Sequence, residues 1–386
     1  MAVEETVGRS IYAHTPEAIL QWNHASDNEL GRKSSLTVHQ LLVCVLVAAT
    51  SWMTTTVVRR YAVSHDVLDT PNQRSSHTIP TPRGGGLSIV VTSLAVVFVL
   101  IVSHHLSVKT GLALMLGGGA VALVGWLDDR HHLGVRLRFA VHLGSAVWAL
   151  AMLGGLPSMR IGSGTLTAPI ILSCLAVVGT VWSANLFNFM DGIDGIAGIQ
   201  AACVGLGGGV LLTLSGDTGL AYCMFALGAA SVGFLALNWH PAKIFMGDVG
   251  SGFIGFYIAT VAVASENATA VPLLLWAMMM ALFVVDATAT LVYRTIKGHP
   301  WSEAHRTHVY QLAVRSGLSH DRVALIVGVV DCVLIGIAYL GMRQPEKAGS
   351  MTLATLAAVF VAWLWLRRGL QAKVERVEAS EKAVVR

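Results

Sequence analysis

Eleven separate runs of apolar residues, each close to the length that crosses a lipid bilayer, leave this chain few ways to fold. A bilayer core takes about 20 predominantly apolar residues per helix, with a range of about 17–25. The runs fall at about 40–58, 86–103, 111–127, 138–153, 168–184, 195–213, 219–237, 250–265, 271–292, 323–341 and 350–366. They predict an all-α integral membrane protein with about eleven transmembrane helices. Composition agrees, because 12% of the residues are charged where a soluble domain carries roughly 25%. The first run begins near Leu41, so no N-terminal signal peptide is visible. The expected organisation is a flexible extra-membrane tail over 1–38, a membrane domain over 39–368 and a charged C-terminal tail over 369–386.

An odd number of spans puts the termini on opposite sides, and Lys and Arg decide which is which. Placing the 59–85 loop in the cytosol assigns nineteen of the 26 Lys and Arg residues to the cytosolic side. The N-terminus is then outside and the C-terminus inside. The acids follow the same bias. Asp66, Asp69, Asp128, Asp129, Asp191, Asp194, Asp248 and Glu303 share the cytosolic face, while the outer loops between spans hold Asp217, Glu266 and Glu346. Chemistry is expected on the crowded side. The five cysteines sit in apolar stretches without a CxxC pair, which argues against a disulfide framework and against a zinc site.

Five polar segments interrupt the apolar pattern on that face. Residues 69–86 combine three prolines and three glycines with Arg74, His77 and Arg83, donors suited to phosphate. Asp128 and Asp129 end the third span, where a helix C-terminus disfavours carboxylates and a cation is needed nearby. Adjacent helical residues point about 100° apart, so one acid can face a metal and the other a substrate. Asn185, Asn188, Asp191 and Asp194 recur every third position, a stripe along one helix face whose oxygen ligands suit Mg²⁺ or Mn²⁺ rather than zinc. In the segment 241–251, Phe245 offers a face for a base, Lys243 a phosphate partner and Asp248 a further metal or substrate contact. An Asp at a helix start is also an ordinary N-cap. In the fifth segment, His305, Arg306 and His308 can clamp a diphosphate. Inside the spans, Asp286 is placed to reach the site or to pair with Arg294. Asp331 is an intramembrane acid without an evident chemical role, expected as a protonated packing residue.

These segments, in this order over about 40–370, resemble the polyprenyl-phosphate N-acetylhexosamine-1-phosphate transferases. That family includes bacterial enzymes that start O-antigen, enterobacterial common antigen and teichoic acid synthesis, and the phospho-MurNAc-pentapeptide translocase of peptidoglycan. Asp286 falls where its members carry an aspartate before a basic helix end. The segment His305-Arg306-Thr307-His308 and the eleven spans are closer to the O-antigen-initiating branch than to the translocase, which remains the alternative.

The resemblance implies transfer of an N-acetylhexosamine-1-phosphate from a UDP-sugar to undecaprenyl phosphate, with release of UMP, at the bacterial inner membrane. It implies Asp248 and Asn188 as first metal ligands with Asp129 and Asp191 close by, and Phe245 on uracil. Asp194 falls to the nucleotide, and His305, Arg306 and His308 to the diphosphate. A phosphate monoester has a second pKa near about 6, so the lipid nucleophile needs little help from a base. Asp128 is then expected to orient it. A covalent phospho-aspartate route stays open. No nucleic-acid partner is expected, and a homodimer is compatible with the sequence. A secondary transporter is the rival class. It would place its ionisable groups at the bilayer midplane, which here fits Asp331 alone.

Overall fold

The computed structural model describes residues 16–70, 79–131, 133–162, 164–299 and 305–384. Helix α1 (Pro16–Ser64) carries its apolar part in Val38–Ser64. Helix α2 (Leu87–Val102) follows. The next span, Val108–His131, consists of α3 (Val108–Leu112), a π-helical turn (Ala113–Gly117) and α4 (Gly118–His131). Then come α5 (Val135–Leu153), α6 (Pro169–Met190), α7 (Ile196–Ser215), α8 (Thr218–Asn238) and α9 (Asp248–Asn267). The chain ends with α10 (Leu273–Met279), α11 (Ala281–Ile296), α12 (Val309–Arg315), α13 (His320–Arg343) and α14 (Pro345–Val384).

Among the described residues nine helices are long and apolar enough to cross a membrane, or ten if the bent pair α10–α11 is one span. Helix α2, at 16 residues, is apolar but shorter. Each of the eleven expected runs thus corresponds to a helix or a broken helix, and the protein is an all-α multi-span membrane protein. The 271–292 run differs from expectation, because the chain turns by 78° at Met280. Gln200 of α7 donates its Nε2 to the Met279 carbonyl there at 3.4 Å.

Helix α9 is the central post. It packs on α4 and α6 and is buried over nearly its whole length. Ser251 Oγ donates to Gly247 O and Thr260 Oγ1 to Phe256 O, while Tyr257 OH reaches Cys223 O of α8. By contrast α1 and α14 lie at the rim with most of their apolar surface outward, as a lipid solvent allows.

Two small hairpins complete the fold. Strands β1 (Leu68–Asp69) and β2 (Thr81–Pro82) pair antiparallel ahead of α2. Strands β3 (Ser158–Ile161) and β4 (Gly164–Thr167) pair between α5 and α6. Beside β3, Glu266 at the end of α9 accepts Arg160 N and Nε at 2.8 and 3.1 Å and Leu273 N at 2.6 Å. Asp217 caps α8 through Leu220 N. Asp217 and Glu266 therefore hold backbone in place, while Asp128, Asp129, Asp191 and Asp248 gather where α4 and α6 end and α9 begins.

Candidate active site

The site forms where α4 and α6 end and α9 begins. The loop before α2 runs along the segment before α9: Phe245 N donates to Pro82 O at 2.8 Å, Gly85 N to Phe245 O and Gly86 N to Met246 O, both at 2.9 Å. This backbone pairing fixes Arg83 beside the acids. Asp129 accepts Asp248 N at 2.9 Å and Val249 N at 3.2 Å, so it answers amides that the first turn of a helix leaves without a partner. Two glycines permit the approach. Gly247 has φ +76°, a left-handed conformation that favours glycine. A side chain at Gly125 would meet the Asp248 backbone at contact distances too short for real atoms.

Two guanidinium groups join the acids. Arg83 reaches Asp129 Oδ1 at 2.9 Å and Asp248 Oδ1 at 2.8 Å. Burial alone would lower its pKa, but the fields of Asp129 and Asp248 outweigh that and raise it. Arg138 on α5 donates to Asp128 Oδ2 at 2.6 Å and Asp248 Oδ2 at 2.9 Å. Asp128 also accepts Leu133 N, so the two adjacent acids do separate jobs, as their angular spacing requires.

Asn185 and Asn188 lie on the last turns of α6, and Asp191 is its C-terminal cap residue. Asn188 Nδ2 donates to Ser251 Oγ at 3.3 Å. Burial pushes the Asp191 carboxyl well above the usual range, against the pull of Arg83, and among the described residues no hydrogen bond reaches its oxygens. This half-buried carboxylate, in the field of Asp248 and Asp129 and one helical turn from the Asn188 amide, belongs to an all-oxygen donor set that fits a hard divalent cation. Asp129 fits less freely, since both its oxygens already bind backbone amides.

The expected four-residue stripe is broken after Asp191. The helix ends, and Asp194 in the following turn faces another way: its Oδ2 accepts His240 Nδ1 at 2.7 Å and Ala242 N at 3.1 Å, with His320 Nδ1 at 3.4 Å. Burial would raise its pKa, but the bonds from His320 and His240 hold it below the ordinary value. Asp194 thus ties the α6–α7 turn to the α8–α9 segment and to the start of α13. Its carboxylate belongs to that junction, where with His240 and His320 it forms a separate cluster whose ligand atoms lie within 4.8 Å of one another.

Beside the acids opens a cavity of about 310 Å³, with Arg138, His142, Asn188, Asp248, His305 and His308 among its walls. His305 is pushed down to about 3 by burial and by His308, Arg294 and Arg367. That environment disfavours the charged ring, whose Nδ1 lies 3.1 Å from Thr307 Oγ1. His308 starts α12, 3.6 Å from Asp286 Oδ1. Asp286 accepts Val309 N at 3.0 Å and Trp363 Nε1 at 2.9 Å, so it anchors the segment that carries the histidines.

Of the remaining expected residues, Phe245 is half-buried and Lys243 exposed. Arg306 accepts through its carbonyl from Arg315 at 3.2 Å. Arg74 and His77 lie outside the described residues. Asp331 is fully buried, and its two oxygens have no hydrogen-bond partner among the described residues. Sequence reasoning missed Arg138 and His142. Their signal was present: two basic-type residues at i, i+4 on one face of an otherwise apolar run.

Comparison with known proteins bears directly on this arrangement. Residues 111–266 match the family model described as glycosyl transferase family 4, a stretch containing Asp128, Arg138, Asn188, Asp191 and Asp248. The chain is 30% identical over 377 residues to the decaprenyl-phosphate N-acetylglucosaminephosphotransferase of Mycobacterium tuberculosis, covering 85% of this chain and 89% of that protein. It is 28% identical to a probable undecaprenyl-phosphate N-acetylglucosaminyl 1-phosphate transferase of Bacillus subtilis, over 72% of this chain and 78% of the relative. The undecaprenyl-phosphate alpha-N-acetylglucosaminyl 1-phosphate transferase of Yersinia pestis is 29% identical, over 74% and 80%. With this likeness spread over most of its length, the chain belongs to the polyprenyl-phosphate N-acetylhexosamine-1-phosphate transferase family.

Proposed function

We propose that the protein transfers an N-acetylhexosamine-1-phosphate from a UDP-sugar to undecaprenyl phosphate, giving the diphosphate-linked lipid and UMP. The observation that carries this reading is the meeting of Asp128 and Asp248 with Arg83 and Arg138, beside a cavity that Arg138 and Asp248 line, with Asp191 in the field of Arg83, Asp248 and Asp129. Phosphoryl transfer depends on positioning and electrostatics more than on covalent chemistry, and this is a site of fixed charges. In bacteria such a product starts a cell-surface polysaccharide of the O-antigen type. The Lys and Arg bias supports a site on the cytosolic face of the inner membrane. The names of the relatives support N-acetylglucosamine as the first donor to test.

Mg²⁺, or Mn²⁺ in its place, would be held by Asp248, Asn188 and Asp191, with Asp129 adjoining, and when bound neutralises charge on the departing UMP. Arg138 and Asp128 orient the lipid phosphate, whose oxygen attacks the β-phosphorus of the donor. Arg83 keeps Asp248 aligned through its 2.8 Å contact. Phe245 and Lys243 flank the nucleotide, together with Asn185. Arg74, His77 and Arg306 add positive charge around the phosphates, and His305 and His308 close the cavity.

The test is UMP release by the purified protein with undecaprenyl phosphate, Mg²⁺ and a panel of UDP-N-acetylhexosamines. Lipid- and metal-dependent UMP from one donor supports the reading and names the sugar. A folded protein that releases UMP with no donor in the panel, or without lipid, counts against it.

A further inference from the structure

A second cavity, of about 440 Å³, lies between the end of α11, α12 and α14, with Thr307 in its wall. It shares no lining residue with the cavity beside the carboxylates. Arg294, Lys297, His299, Arg315 and Arg367 line it, with Glu375 the one acid among its described walls. Arg367 is 6% exposed. Burying such a cation is costly unless charge of opposite sign is near. Arg367 recovers part of that cost by stacking, its guanidinium 4.1 Å from the Tyr293 ring centroid and 5.4 Å from that of Trp363. Its NH1 donates to Thr307 O at 2.7 Å. Its Nε is buried without a hydrogen-bond partner among the described residues.

The cavity also lies near the end of an apolar belt. On the same helices Val292, Ile296 and Trp365 are exposed at 51%, 78% and 76%, a surface suited to acyl chains, while the Lys and Arg residues beside them match the headgroup level. Guanidinium forks are matched to phosphate oxygens.

We propose that this cavity is a second anion site, which binds a phosphate group carried by a lipid headgroup or free in solution. Arg367 connects it to the first cavity, because the Thr307 carbonyl it holds lies between His305 and His308. An anion in the second cavity therefore steadies the segment that closes the first.

The experiment uses the full-length protein in detergent, titrated with inorganic phosphate while Tm is followed. Lys297→Gln alters an exposed residue and is expected to fold normally, so it keeps the test decisive if Arg367→Gln does not fold. Phosphate is expected to raise Tm, with binding weakened about fivefold by Lys297→Gln, the effect of one partly exposed charge. Asp248→Ala is expected to keep the response, which separates this proposal from the catalytic reading. A response lost in Asp248→Ala and unchanged in Lys297→Gln overturns the proposal. The second arm places the protein in phosphatidylcholine nanodiscs with and without phosphatidylglycerol and counts retained lipids by native mass spectrometry. Retention of the anionic lipid that falls in Lys297→Gln assigns the headgroup as source, and variant-dependent phosphate binding without that retention assigns the free anion. No change between wild type and Lys297→Gln in either arm overturns the site.

Discussion

Asp129 accepts the backbone amide of Asp248 at 2.9 Å, so an acid that ends one helix anchors the first turn of another. The neighbouring Asp128 holds only the Leu133 amide of the following turn and turns its other oxygen to Arg138. Identical side chains one residue apart thus separate into an anchor and a candidate ligand-facing group.

That separation gives the first prediction. Asp129→Asn keeps an acceptor but loses the charge that faces Arg83 and the α9 amides. It is expected to lower Tm, by a cost on the order of 1–3 kcal/mol for a damaged buried hydrogen-bond set, and activity together. Asp191→Asn, at a carboxylate without donors of its own, is expected to abolish turnover and leave Tm unchanged or higher. Thermal melts beside UMP release distinguish the two, and a matching loss of Tm in both would contradict the division.

Arg138 bridges two acids from different helices. Arg138→Gln leaves Asp128 and Asp248 facing each other without the shared cation. Turnover is expected to fall by about 100-fold or more, in the range of a removed electrostatic contact. Both carboxylates are met by one nitrogen, Nη1, so Arg138→Lys, which keeps the charge on a shorter side chain, is expected to recover part of the loss. Steady-state kinetics of the two variants provide the check.

His305 has an ordinary value of 6.5 and is held at about 3 in the fold. A histidine lowered in this way favours the folded state while it is neutral in both states. That contribution is full above about 6.5 and declines as the pH drops toward about 3. Wild type is therefore expected to lose more stability on acidification from pH 7 to pH 4 than His305→Gln does. The pH profile of turnover near neutrality is expected to look the same in both. A kinetic step near pH 6.5 that disappears in His305→Gln would show the ring to be charged in the working enzyme.

Gly125 sits against the Asp248 backbone with no room for a side chain. Gly125→Ala forces α4 and α9 apart at the anchor described above, at a cost of about 1–3 kcal/mol for overpacking. Activity is expected to fall further than stability, because the displaced element carries Asp248. Gly119→Ala on the same helix, where a side chain meets open space, serves as the control and is expected to be silent.

The sequence shows the helices well and the partnerships poorly, for physical reasons. A run such as 219–237 must become a helix in lipid, and α8 (Thr218–Asn238) follows it closely. The break at Met280 carried no proline or glycine to announce it. Among the site residues, Asp128, Asp248 and Asn188 were legible because a lipid-facing chain rarely carries such groups without use. Asp194 was drawn into the stripe because periodicity assumes that a helix continues, and the helix stops at Met190. Arg138 was hidden because a basic residue at a span's end already has an explanation in orientation. His142 was hidden inside an apolar run.

The break between α10 and α11 has a mechanical meaning. The Met279 carbonyl is answered by Gln200 of α7 and not by the next turn of its own helix. The outer half of this span is thereby fastened to its neighbour, while the inner half, which bears Asp286 and through it the histidine segment, is free of that fastening. The 78° joint thus lets the direction of α11, and with it the placement of Asp286, be set apart from that of α10.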